Sequence, residues 1–223
     1  MHTCKAKATC IHAREEDNMK SVLCFGDSNT YGLKPDGSGR FEKTERWPGI
    51  LSELLGHQNY EVIEEGLVGR TTVFEDSTRL GRNGSKLLPI LLESHGPVDT
   101  VVLMLGTNDC KTVYNASATL IGRGTEILLK QIRANNPDAE ILLLSPIYLG
   151  EQVWKEEYDP EFNERSVVTS KELKAVFRRL AEEFDCKFLA ASDVAEPSET
   201  DQEHMDLKGH KLLAGAIYEK LIA

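Results

Sequence analysis

Three unbroken apolar runs end abruptly at turn residues. Val22-Leu23-Cys24-Phe25 meets Gly26-Asp27-Ser28, Thr100-Val101-Val102-Leu103-Met104-Leu105 meets Gly106-Thr107, and Ile141-Leu142-Leu143-Leu144 meets Ser145-Pro146. A strand with one wet face alternates apolar and polar residues, whereas a short continuous run fits a strand covered on both faces. Tyr60–Glu65 and Lys187–Ala191 read as two further strands. Between these runs the period changes. Leu173, Val176, Phe177, Leu180, Ala181 and Phe184 recur at i, i+3, i+4 and i+7, and 117–134 carries Leu120, Ile121, Ile127, Leu128 and Ile132 on roughly one side, both helical patterns. Trp47-Pro48-Gly49-Ile50-Leu51 opens a helix with proline in its first turn. A short amphipathic helix is predicted over 87–92, and Leu212, Leu213, Ala216, Ile217 and Leu221 mark a last one. Strands alternating with helices build right-handed βαβ units, hence a parallel sheet with helices on both faces.

The chain is 223 residues long and 40% hydrophobic, enough to bury a core without staples. No Pro/Ser/Gly-rich linker divides it. One domain is expected over 19–223, with 1–18 as a disordered N-terminal extension that has charge but no apolar signal core. The net charge of −10 argues against nucleic-acid or anionic-membrane partners, which need clustered Lys and Arg. No apolar span approaches the ~20 residues of a membrane helix, so a cytoplasmic protein is expected. Five cysteines (Cys4, Cys10, Cys24, Cys110, Cys186) are scattered without a CxxC pair, which fits neither a disulfide framework nor a zinc site. Walker, complete GxGxxG, HExxH and GxSxG motifs are also missing.

In an open parallel sheet the carboxyl ends of the strands share one edge, where ligands bind. Ser28, the Gly66-Leu67-Val68-Gly69 turn, Asn108 and the loop before His204 all follow strands and can converge there. Singly, each has a plainer use: Ser28 as a helix cap, the glycines as a turn, Asn108 bonding its own backbone. Jointly they supply what acyl transfer by a serine requires, namely a nucleophile, a base, a group orienting the base, and donors for an oxyanion. His204 is the candidate base and Asp201, three residues earlier, its orienting acid. The backbone N–H groups of Ser28 and Gly69 and the Asn108 side chain are the candidate donors. His210, four residues after Asp206, is the rival base, but it falls inside the predicted last helix, where a surface or capping role is expected. A neutral His204 is needed, so activity is expected to rise through about pH 6 to 7. The irregular stretches 33–46 and 148–165 are expected to shape the pocket.

These blocks (Gly-Asp-Ser, Gly-x-x-Gly-Arg-Thr, Gly-Thr-Asn-Asp and a terminal Asp-x-x-His) resemble those of the GDSL, or SGNH, hydrolases, in family order. The runs CFGDSNTYG, IEEGLVGRTT and MLGTNDCK are most similar to the branch of bacterial aryl esterases and acyltransferases. The resemblance implies a three-layer α/β/α flavodoxin-like fold with a parallel sheet of about five strands. It also implies no cofactor, a small-molecule ester substrate of short acyl chain, an acyl-enzyme with hydrolysis or acyl transfer, and homo-oligomers. Acyl-CoA thioesterase, carbohydrate deacetylase and lysophospholipase are the alternative activities, and a non-catalytic ligand-binding module the alternative class. Asn29 stands where the family's name-giving leucine would be, a departure expected to touch substrate fit rather than chemistry.

Overall fold

The structure, a computed structural model, describes residues 19–223; the expectation for 1–18 lies outside them. Strands β1 (Lys20–Gly26), β2 (Tyr60–Gly66), β3 (Thr100–Met104), β4 (Glu140–Ser145) and β5 (Lys187–Ala190) form one parallel five-stranded sheet in the order β2-β1-β3-β4-β5. Helices α1 (Ser28–Tyr31), α2 (Trp47–Leu55), α3 (Gly84–His95), α4 (Ala118–Asn135), α5 (Glu164–Glu183) and α6 (Leu207–Ile222) complete the domain.

The period of two along each strand sorts the apolar runs into two cores. Leu23, Phe25, Val101, Leu103, Ile141 and Leu143 pack with Leu88 and Leu92 of α3, Ile121 and Leu128 of α4, and Phe177 of α5. Val22, Cys24, Val102, Met104, Leu142 and Leu144 pack with Trp47 and Leu51 of α2 and Leu213 and Ile217 of α6. The three central strands are therefore dry on both faces, which is why their sequences do not alternate. Truncating a fully buried member such as Leu103 to alanine removes ~2–5 kcal/mol of stability. β2 lies at the sheet edge and is only partly buried, so it tolerates Glu61, Glu64 and Glu65.

Two elements run longer than their apolar periodicity predicts. α5 starts at Glu164, because Asn163 and Ser166 form a reciprocal capping box there. Its first turns bury small polar residues, Ser166, Thr169 and Ser170, which carry no hydrophobic signal. α3 starts at Gly84, capped by the Asn83 side chain, which accepts from the Ser85 N–H. Among the described residues no helix is long and apolar enough to cross a membrane.

From β1 the chain passes to β2 on one side and then to β3 on the other. That reversal opens a crevice at the carboxyl edge between β1 and β3, bordered by Ser28, the turn after β2 and Asn108.

Candidate active site

Ser28 follows the last turn-forming residue after β1 and begins the four-residue helix α1. Asp27 caps that helix, its side chain accepting from the Asn29 N–H at 3.0 Å. As the first residue of a helix, Ser28 has an N–H without an intrahelical acceptor. Its hydroxyl Oγ lies 2.8 Å from Nε2 of His204, a residue 176 positions away in the chain. The other ring nitrogen, Nδ1, lies 2.6 Å from Asp201 Oδ2. Asp201 Oδ1 meanwhile accepts from the backbone N–H groups of Glu203 at 3.0 Å and His204 at 2.9 Å. A carboxylate facing Nδ1 assigns the proton to that nitrogen and leaves the Nε2 lone pair toward the hydroxyl.

Asn29 holds this loop in register with the serine. Its side-chain nitrogen donates to the Glu203 carbonyl at 3.3 Å and its oxygen accepts from the Met205 N–H at 3.0 Å. Beyond the substrate fit expected of it, Asn29 is buried and clamps the chain on either side of His204. A leucine could make neither bond.

The turn after β2 carries Gly69 at φ +79°, in the left-handed region, which favours glycine. Its N–H meets no backbone acceptor among the described residues. A Cβ built there would lie 2.2 Å from Arg79 Nη2, which a flexible arginine could yield, so it is φ that calls for glycine. Asn108 opens a 3-10 turn after β3 and donates from Nδ2 to the Arg70 carbonyl at 3.1 Å, which leaves its second amide hydrogen free. Asp109, to which the sequence reading gave no part, ties the two turns together. Its buried carboxylate accepts from the Thr72 N–H at 3.0 and 3.1 Å and from the Thr72 hydroxyl, and burial pushes its pKa up to about 6. Arg70 is buried over the Phe25 ring, 4.1 Å from its centroid, and donates to the Gly26 and Glu65 carbonyls, fastening the ends of β1 and β2. Removing the Asn108 side-chain donor (Asn108→Ala) should lower kcat about 10²- to 10³-fold with KM little changed. A KM-only effect in steady-state kinetics would remove Asn108 from the oxyanion set.

Three carboxylates surround His204. Besides Asp201, Glu203 Oε1 stands 4.0 Å from Nε2, and Asp27 acts on the ring through its charge, its own pKa pushed up to about 7 by burial. Burial lowers the imidazole pKa, but the attraction of Glu203 and the bond and charge of Asp201 outweigh it and push His204 up to about 9. The expected pH window of 6 to 7 is therefore moved upward. Since only the neutral ring can take a proton, the acid limb of kcat/KM should fall well above pH 7, toward 9. Glu203→Gln should lower that limb by about one unit or more; a limb unmoved in the pH–rate profile would remove Glu203 from this role. The same shift has a stability side. A raised histidine pKa contributes stability in full below its unfolded value, and that contribution is lost as pH rises through about 9.

His210 is not part of this cluster, and the surface or capping role expected of it is corrected: the residue is fully buried and Asp206 is the cap. It is buried against the Phe41 ring edge, and its Nδ1 accepts from the Trp47 N–H at 3.3 Å. Burial pushes its pKa down to about 4. Asp206 caps α6, accepting from the Gly209 N–H at 2.8 Å.

A cavity of about 130 Å³ adjoins two of the three oxyanion candidates, Gly69 and Asn108. Its wall includes Glu161, from the 148–165 stretch as expected, but none of 33–46. Its largest contribution comes instead from 75–79, a loop that sequence reading passed over. The signal was there in Asp76-Ser77-Thr78-Arg79, where an aspartate binding its own downstream backbone forms a turn. A larger cleft of about 610 Å³ lies between the turn after β5 and the start of α6 and touches none of the candidate site residues. Among the described residues no group of three or more His, Cys, Asp or Glu side chains is placed to hold a metal ion.

The domain is thus a parallel α/β/α sandwich with a hydroxyl, an imidazole and a carboxylate in line at the carboxyl edge of its sheet. Residues 24–212 match the GDSL-like lipase/acylhydrolase family, and the chain belongs to that family; it is an ester-bond hydrolase. Among solved structures, it is similar to the native M. smegmatis aryl esterase, with 32% identity, a TM-score of 0.82, and coverage of 91% of this chain and 98% of that one. A carbohydrate acetylesterase family member from Sinorhizobium meliloti is similar to the same degree, at 34% identity, a TM-score of 0.82, and coverage of 92% and 100%. No curated protein sequence matches the chain.

Proposed function

We propose that the chain is a serine esterase for short-chain acyl esters, alkyl or aryl, acting through an acyl-enzyme. The observation that carries this reading is the continuous pair of bonds from Ser28 Oγ to His204 Nε2, 2.8 Å, and from His204 Nδ1 to Asp201, 2.6 Å. Ser28 Oγ attacks the ester carbonyl carbon as its proton passes to His204 Nε2. The Ser28 and Gly69 N–H groups and the Asn108 amide take the charge that develops on the carbonyl oxygen. His204 returns the proton to the departing alkoxide, leaving the acyl group on Ser28. Water, or an alcohol in the acyltransferase mode, then repeats the cycle. A fluorophosphonate probe tests this directly: one adduct, mapped by mass spectrometry to Ser28, with loss of 4-nitrophenyl acetate turnover. Labelling elsewhere, or none in the folded protein, would refute it.

A cavity of about 130 Å³ suits a short acyl group and disfavours the long chain of a lysophospholipid. Its polar wall, with Ser77, Thr78 and Tyr114, supports a second reading, deacetylation of carbohydrates, which an acetylated-sugar panel beside aryl esters and acyl-CoA separates. Homo-oligomeric assembly and a cytoplasmic location complete the reading. Light scattering on the eluted protein and cell fractionation test them.

A further inference from the structure

The cavity beside Gly69 and Asn108 has a charged wall in which every carboxylate is already answered. Asp76 Oδ1 accepts from the Thr78 N–H at 2.8 Å, the Thr78 hydroxyl at 2.6 Å and the Arg79 N–H at 3.0 Å, and Oδ2 accepts from Arg79 Nε at 2.9 Å. Glu75 pairs with Lys86 at 2.5 Å and accepts from Asn83 at 3.0 Å. Glu161 pairs with Lys111, whose ammonium also faces Asp159 at 3.6 Å. The valence left over belongs to Arg79. Asp76 holds its guanidinium through Nε alone, and the two Nη groups have no hydrogen-bond partner among the described residues. They lie against Gly69, where a Cβ would come within 2.2 Å of Nη2 and 3.0 Å of Nη1. A guanidinium fork fixed at Nε and open at Nη1 and Nη2 presents parallel donors spaced for a carboxylate.

We propose that Arg79 anchors a carboxylate on the acyl part of the substrate, so that the preferred esters are monoesters of short dicarboxylic acids. This rests on the esterase reading above. The acyl side follows from the cavity's position. Two of the three oxyanion candidates, Gly69 and Asn108, line it while Ser28 and His204 do not, and the alcohol oxygen must face His204 Nε2 to receive its proton. Length follows from volume. A cavity of about 130 Å³ is small beside the ~300–1,000 Å³ of common ligand pockets, so the chain between ester carbonyl and carboxylate is short, as in a succinyl group.

The test compares kcat/KM for monoethyl succinate with that for its neutral isostere, ethyl 4-methylpentanoate, by ethanol release from the full chain. Wild type should favour the succinate by about tenfold or more, with the advantage falling as salt is raised. Arg79→Gln should abolish the preference through KM, and Arg79→Lys should retain part of it. A wild type without preference, or an Arg79→Gln variant that slows both esters in equal proportion, would overturn the proposal; the latter is what a merely structural support of Gly69 would give. Turnover of 4-nitrophenyl acetate but not monoethyl succinate fails this inference alone, whereas turnover of no ester fails the esterase reading.

Discussion

Ser28→Ala should reduce kcat toward 4-nitrophenyl acetate by about 10⁴- to 10⁶-fold while the protein stays folded. The size follows from what the substitution removes. Without Oγ there is no acyl-enzyme, and His204 loses the hydroxyl 2.8 Å from Nε2 on which it would act as base. What survives is binding and oxyanion stabilisation, which alone retain a small catalysis over water. The fold should be indifferent, because the Ser28 hydroxyl supports no packed side chain and Asp27 still caps α1. Matched circular dichroism and melting temperature would establish that the loss is chemical. A variant retaining more than about one part in a hundred of wild-type kcat would mean that another group attacks.

Asp201→Asn is the second large effect, expected at up to ~10⁴ in kcat. The asparagine oxygen can keep the bonds that Oδ1 receives from the Glu203 and His204 N–H groups, so the loop keeps its shape. The amide NH₂ then faces Nδ1 where the carboxylate oxygen stood at 2.6 Å. That drives the ring proton to Nε2, and the base presents a hydrogen to Ser28 instead of a lone pair. The imidazolium also loses an adjacent negative charge, so the acid limb should move down as kcat falls. Glu203 cannot take over, because its carboxylate stands 4.0 Å from Nε2, the other side of the ring. A loss under about tenfold would mean that the backbone, rather than Asp201, sets the tautomer.

Much of this site could be read before any coordinates. Ser28, Gly69, Asn108, Asp201 and His204 each follow a strand or precede the last helix, and a parallel sheet leaves no choice about which edge they share. His204 was separable from His210 because periodicity puts the latter within a helix, where the structure finds it buried. The clamp made by Asn29 was not legible because a departure from a motif says that a side chain differs, not what the replacement touches 174 positions away. The early start of α5 escaped because a cap and buried serines leave no apolar trace.

The sequence by itself determined the architecture and the chemical class. Unbroken apolar runs, helical periods and turn residues are local properties, and strands buried on both faces with helices between them call for a parallel sheet covered by helices. The tertiary structure alone decided how the site is tuned. The alkaline displacement of His204, the contact of Arg79 with Gly69 and the clamp of Asn29 all depend on distances between groups apart in the chain. Electrostatic and hydrogen-bond energies are set by those through-space distances and by burial, and neither quantity is written in residue order.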